Sequence, residues 1–149
     1  MALIMVVDDE QIARDGIARI LSREGYEVKL AASGDEALSL LEKIKPDAIL
    51  LDFKMPGLDG VEVCKRIRAN ENTETIPIIM VTGFPEEKEI AVLAGADDFL
   101  DKPMDPVDLS MRLRCVLKIG KIVDELERTK AYLEELRKVE KEKERKEKI

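Results

Sequence analysis

Apolar residues in this chain occur in two patterns: short unbroken runs, and longer stretches where they recur every three or four positions. Leu3-Ile4-Met5-Val6-Val7 is a run of the first kind and ends in Asp8-Asp9-Glu10. A continuous apolar run of this length suits a strand buried on both faces, as in a parallel sheet covered by helices. The next segment sets Ile12, Ala13, Ile17, Ile20 and Leu21 on one helical face, with Gly25 as the closing cap. Glu27-Val28-Lys29-Leu30-Ala31 alternates, as a strand nearer the sheet edge would. Ser33 or Gly34 opens a second helix with Ala37, Leu38, Leu41 and Ile44 inside, and Pro46 stops it. Ala48-Ile49-Leu50-Leu51 is the third apolar run; it ends on Asp52 and leaves through Met55-Pro56-Gly57.

Beyond Gly60 a third helix carries Val61, Val63, Cys64 and Ile67, and 70–75 is a polar loop. Residues 77–82 repeat the buried-strand pattern and end at Thr82-Gly83. A short helix from Glu86 to Leu93 (α4) follows, then a brief strand at Phe99-Leu100 (β5) and Asp101-Lys102-Pro103. Five strands alternating with helices predict a doubly wound parallel sheet. From Asp105 one long helix (α5) is expected to near the C-terminus, since only one Gly and no Pro after Pro106 interrupt strong helix formers. Leu109, Leu113, Val116 and Leu117 can pack on the domain. Ile119, Ile122, Leu126, Thr129, Leu133 and Leu136 then recur at alternating threes and fours, a coiled-coil seam in which Glu125 would face Lys130 of a parallel partner. The expected division is 1–118 for the domain and 119–149 for a linker or dimerisation helix.

Composition narrows the function. The net charge of -7 offers no basic footprint for nucleic acid. From Ile119 onward there are 10 basic and 9 acidic residues, so the excess acidity lies before it. No apolar run is long enough to span a bilayer. Cys64 and Cys115 fit neither a metal spacing nor a disulfide framework, which points to a cytoplasmic setting. The chain has no histidine, which removes Ser-His catalysis and any internal phosphohistidine.

The polar groups at the strand ends are Asp8 and Asp9, Asp52, Thr82 and Lys102. In the order 2-1-3-4-5 these ends converge at the switch point, where ligands bind. Clustered carboxylates repel and call for a cation, and an all-oxygen site suits Mg²⁺. Asp52 can then serve as a nucleophile toward phosphorus. Singly, each has a bland reading: Asp8-Asp9-Glu10 as a helix cap, Thr82 as a strand-end hydroxyl, Lys102 as a loop lysine and Phe99 as core.

Together, Asp8-Asp9, Asp52-x-x-Met55-Pro56-x-x-Asp59-Gly60, Val81-Thr82-Gly83 and Lys102-Pro103 resemble the receiver domain of two-component response regulators over roughly the first 120 residues. The resemblance implies a flavodoxin-like fold and phosphorylation of Asp52. Mg²⁺ would be held by Asp9, Asp52 and the backbone carbonyl of Lys54, with Asp8 acting through water. Thr82 and Lys102 would contact the phosphoryl oxygens, Phe99 would be the switch aromatic, and the Lys102-Pro103 bond would be cis. The donor would be a histidine kinase or histidine phosphotransfer protein in trans, and the chain would be no enzyme beyond self-phosphorylation from small donors and self-dephosphorylation. A homodimer would form through the α4-β5-α5 face and the coil. Lys54 and Phe84 would flank the path of attacking water, with Phe84 shielding the aspartyl phosphate and Lys54 pairing with it to make it long-lived. Two alternatives stand beside this: a receiver and linker of a longer regulator, which the uncapped charged end favours, and a structural pseudo-receiver. An aspartyl phosphatase would need a second acid where Lys54 stands.

Overall fold

The computed structural model describes residues 1–148. Five strands, β1 (Leu3–Val7), β2 (Glu27–Ala31), β3 (Ala48–Asp52), β4 (Ile78–Thr82) and β5 (Asp98–Asp101), alternate with five helices. The helices are α1 (Gln11–Arg23), α2 (Gly34–Leu41), α3 (Gly60–Ala69), α4 (Pro85–Ala94) and α5 (Pro106–Glu147). Every strand pair is parallel, in the order β2-β1-β3-β4-β5. This is the flavodoxin-like doubly wound sheet with an extended C-terminal helix.

The unbroken apolar runs are explained by what covers them. In β1, β3 and β4, Met5, Val7, Ile49, Leu51, Ile78 and Met80 turn to one core, together with Ala37, Val63, Cys64, Ile67 and Ala91 of α2, α3 and α4. Ile4, Val6, Ala48, Leu50, Ile79 and Val81 turn to the other, with Ile17 and Leu21 of α1 and Leu109, Leu113 and Val116 of α5. Side chains alternate across a strand, so a strand covered on both faces needs apolar residues at every position. β2 lies at an edge, and its alternating exposure follows from that.

Three boundaries differ from expectation. Ile12 is 89% exposed rather than on the inner face of α1, because at 100° per residue it lies roughly 140° around the helix from Ile17 and roughly 180° from Leu21, the two buried residues of that helix. Helix α2 ends at Leu41; Ile44 lies past it in a turn closed by its N–H on the Leu40 carbonyl, and still packs on the core. The residue before a proline is driven from helical geometry, so a chain approaching Pro46 unwinds early. Gly25 stands one residue past the cap of α1, at φ 89°, the left-handed position that favours glycine.

Helix starts follow local chemistry. Ser33 accepts from the Glu36 N–H at 3.1 Å, and Asp59 from the Glu62 N–H at 2.9 Å. Gly60 is fixed by space: its N–H donates to the Phe53 carbonyl at 3.0 Å, and a Cβ there would press on the Asp52 carbonyl. That contact seats α3 directly beneath the loop leaving β3. Gly60→Ala is expected to destabilise by about 3 kcal/mol in chemical denaturation. Gly16→Ala, in α1 where a Cβ meets nothing within 4 Å, is expected to stabilise by about 1 kcal/mol. Equal effects at the two positions would show that the approach at Gly60 is not needed.

Candidate functional site

Strand register brings the polar ends together. Val7 sits opposite Leu51, so Asp8 follows beside Asp52. Asp52 is opposite Val81 and Thr82 opposite Asp101, which sets Thr82 and Lys102 in successive steps along the rim. The Lys102 N–H donates to the Thr82 carbonyl at 2.8 Å, and the Lys102-Pro103 bond is cis.

Carboxylate oxygens of Asp8, Asp9 and Asp52 all lie within 4.8 Å of one another. Asp8 and Asp52 are buried and Asp9 is exposed, so the cluster opens to solvent on one side. Asp8 also caps: its Oδ1 accepts from the Glu10 N–H at 2.9 Å, and Arg14 donates to its carbonyl at 2.7 Å. Asp8 thus braces the turn that leads into α1, whose N-cap is Glu10, and leaves its second carboxylate oxygen for the acid cluster.

Lys102 Nζ is 2.7 Å from Asp52 Oδ1. That ion pair meets the buried Asp52 Oδ1, whereas the buried Thr82 Oγ1 has no hydrogen-bond partner. An orphaned buried hydroxyl at the adjacent strand end is costly unless something else meets it. An all-oxygen set of three clustered acids fits a hard divalent cation. Burial raises the carboxyl pKa of Asp52, Lys102 opposes that, and Asp8 and Asp9 add to it; the net direction is upward. For Lys102, burial lowers the pKa but the Asp52 contact outweighs it, so the ammonium is retained.

Lys54 does not point at Asp52. Its Nζ lies 3.7 Å from Glu87 and 4.7 Å from the centre of the Phe84 ring. Glu87 is only 5% exposed and its Oε1 accepts from the Gly83 N–H at 3.3 Å. Sequence reasoning missed Glu87. The signal was its place three residues after Phe84, the N-cap of α4, where an acid can reach back to the preceding N–H groups. Phe99 is half-buried, with Lys88 4.9 Å and Arg112 5.9 Å from its ring centre. A cleft at the opposite, amino end of the strands is lined by Lys45, Pro77, Leu117 and Lys121 and holds no comparable convergence of acids.

A doubly wound parallel sheet with an acid cluster and a lysine paired to it at the switch point is the arrangement of a signalling receiver. The chain belongs to the response regulator receiver domain family, whose model matches residues 4–114. It is 39% identical over 122 residues to the response regulator MprA of Mycobacterium ulcerans, covering 82% of this chain and 53% of that protein. It is 38% identical to the transcriptional regulatory protein AfsQ1 of Streptomyces coelicolor, covering 80% and 53%. The chain thus spans about half the length of these relatives. The solved structure of the chemotaxis protein CheY4 of Vibrio cholerae superposes with a TM-score of 0.73 at 36% identity, covering 78% of this chain and 98% of that one. The chain is thus a response regulator receiver domain of the two-component kind. No helix among the described residues is long and apolar enough to cross a membrane.

The raised pKa of Asp52 has a consequence for stability. The folded state holds the proton more tightly than the unfolded chain, so stability falls as pH rises through this window and stays lower above it. Asp52→Asn is expected to raise stability at neutral pH without metal by about 1 kcal/mol, or roughly 3–5 °C in Tm. The gain should vanish below the pKa of a free aspartate. A neutral-pH loss on substitution would show that the Lys102 pair outweighs the crowding.

Proposed function

We propose that this chain is a phosphoacceptor switch in which Asp52 takes a phosphoryl group from a histidine kinase or histidine phosphotransfer protein acting in trans. One observation carries the reading: buried Asp52, its Oδ1 2.7 Å from the Lys102 ammonium, stands beside two further carboxylates and the buried, unpartnered Thr82 Oγ1. A carboxylate oxygen of Asp52 forms the O–P bond as the donor's N–P bond breaks and its imidazole leaves. Asp9, Asp52 and the Lys54 backbone carbonyl would hold Mg²⁺, with Asp8 acting through water. When bound, the ion supplies charge neutralisation for the transferring phosphoryl. Lys102 offsets the charge on a phosphoryl oxygen, and Thr82 offers its hydroxyl to another. Movement of Thr82 toward the phosphoryl draws Phe99 inward and changes the α4-β5-α5 face, which with the C-terminal helix carries the output into a homodimer. We assign residues 1–118 to this receiver and 119–149 to that helical extension. The setting we infer is cytoplasmic, with no nucleic-acid contact by this chain, since Glu alternates with Lys through 138–148.

Acetyl phosphate with Mg²⁺ is expected to give one phosphoryl adduct by intact mass, absent without Mg²⁺ and absent in Asp52→Ala. Mg²⁺ alone should raise Tm in the wild type and lose most of that effect in Asp52→Asn, because the crowded charge it neutralises is gone. No adduct with either small donors or a kinase would favour a structural pseudo-receiver.

The second expectation concerns lifetime. Phe84, 51% exposed, and the Lys54 ammonium seated on its ring stand in the β3-α3 and β4-α4 loops that border the proposed phosphoryl position. Their contact narrows the route of an attacking water, and the adduct should be long-lived. Phe84→Ala is expected to speed hydrolysis roughly tenfold, the effect of about 1.4 kcal/mol on the barrier. A half-life of seconds in the isolated wild-type protein would remove this reading and leave the phosphoacceptor intact.

A further inference from the structure

We infer that the exposed face of α5 is the seam of a parallel, in-register homodimer, with a second copy of this chain as its partner. The inference deepens the dimer of the proposed switch but does not depend on phosphorylation of Asp52. Helix α5 runs for 42 residues, about 63 Å at 1.5 Å per residue. Leu109, Leu113 and Val116 are buried against the sheet, and Gly120 meets Pro77, where an added Cβ would lie 3.2 Å from Cγ. Past Val123 every described residue is exposed. The residues left bare on this helix nevertheless include Ile119, Ile122, Leu126, Leu133 and Leu136, from 42% to 63% exposed. At 100° per residue their stripe lies roughly 130° around the helix from the inner face. The receiver that carries the helix therefore cannot cover it, and a monomer would leave a contiguous apolar stripe in water.

Three features of the stripe select a second copy in parallel. First, its spacing is heptad: Ile119, Leu126 and Leu133 occupy a positions, and Ile122, Thr129 and Leu136 occupy d positions. Thr129, the polar member, has its hydroxyl donating to the Glu125 carbonyl of its own helix at 2.9 Å. Burying it between two chains leaves no orphaned donor. Second, charge prefers one orientation. Parallel pairing sets Glu125 at g against Lys130 at e of the partner, twice by symmetry, and Tyr132 against Arg137. The antiparallel pairing that overlaps the seams fully, Ile119 against Leu136, sets Glu125 against Tyr132 and Lys130 against Val123, with no ion pair. Third, both ends of the seam are marked. Below Leu136 the next a and d positions are Glu140 and Lys143, which cannot pack as a core. Above Ile119 the preceding d position is exposed Cys115 and the a position before it is Arg112. Arg112 is held on its own receiver by Asp98 at 2.7 Å and Asp108 at 2.8 Å, and two facing arginines stop the seam there. Between Cys115 and Leu136 the seam is three heptads, short enough that association should depend on concentration.

The geometry yields a direct test on the full chain, with and without Mg²⁺ and beryllofluoride. Parallel pairing sets the two Cys115 residues across the same d layer, while Cys64 is buried in the receiver core and out of reach. Mild oxidation is expected to give a disulfide dimer that Cys115→Ser abolishes, alongside a dimer by light scattering. Leu126→Lys with Leu133→Lys, both at exposed positions, should yield a folded monomer that still accepts phosphoryl from acetyl phosphate. Glu125→Lys should weaken the dimer roughly tenfold, and adding Lys130→Glu should restore it. In a Cys115→Ser background, Ile119→Cys should crosslink to itself; crosslinking only between Ile119→Cys and Leu136→Cys chains would overturn the orientation. A monomer in every condition, or a dimer untouched by the two lysines, would overturn the seam. Loss of the phosphoryl adduct with the dimer intact would instead remove the phosphoacceptor reading and leave the seam standing.

Discussion

The architecture depends on crowding like charges at one point. Asp8, Asp9 and Asp52 bring carboxylate oxygens within 4.8 Å of each other at the rim of the sheet, and Asp52 is only 3% exposed. Burial and two neighbouring acids work against ionisation there, and only Lys102 works for it. A fold does not tolerate this arrangement for packing. It is supported by β1, β3 and β4, whose inward residues are buried on both faces, so the carbon skeleton holds what the charges oppose. Among the described residues the positive φ angles belong to Gly25, Gly57 and Gly95, and no non-glycine residue adopts one.

The same rim shows how one side chain serves two purposes. Asp8 satisfies an orphan N–H at the start of α1 with one oxygen and faces the acid cluster with the rest of its carboxylate. Lys102 pairs with Asp52 while its backbone N–H continues the ladder onto Thr82. Position along the strands, set by a hydrogen-bonded register with no bulge in it, thus fixes the site to the precision of the sheet itself rather than of the loops.

Strand and helix order were legible because each core strand is an unbroken apolar run ended by a polar residue, and each helix repeats on a 3.6 period. Asp8, Asp52 and Thr82 were legible for the same reason, as the first polar residues past those runs, and Lys102 as the lysine of the Lys-Pro pair one residue beyond Asp101. Ile12 was misplaced for a different reason: at 100° per residue it lies roughly opposite Leu21, so the helical period itself turns it to solvent. Glu87 was not legible as a buried group, because an acid in the first turn of a helix normally faces water. Its burial is decided by Lys54 and the Gly83 N–H, which come from outside its helix. The direction of Lys54 was lost likewise, since a long flexible side chain takes its place from partners that sequence spacing does not reveal.

Helix α5 joins the two halves of the molecule by obeying two periodicities at once. Leu109, Leu113 and Val116 follow the helix's own repeat onto the sheet, while the stripe from Ile119 to Leu136 follows a seven-residue repeat on another face. Because one continuous helix carries both, a rotation or tilt of its first turns is delivered to the stripe without an intervening hinge. Arg112 sits where the two meet, 5.9 Å from the ring centre of Phe99 and bonded to Asp98 at the start of β5. Any inward displacement of Phe99 removes part of the surface on which that guanidinium rests. The adjustment available to Arg112 is constrained by Asp108, one turn earlier on the same helix. In the switch we propose, a change at β5 would reach the helix as a shift of this charged side chain, at the upper end of the stripe through which two chains would pair.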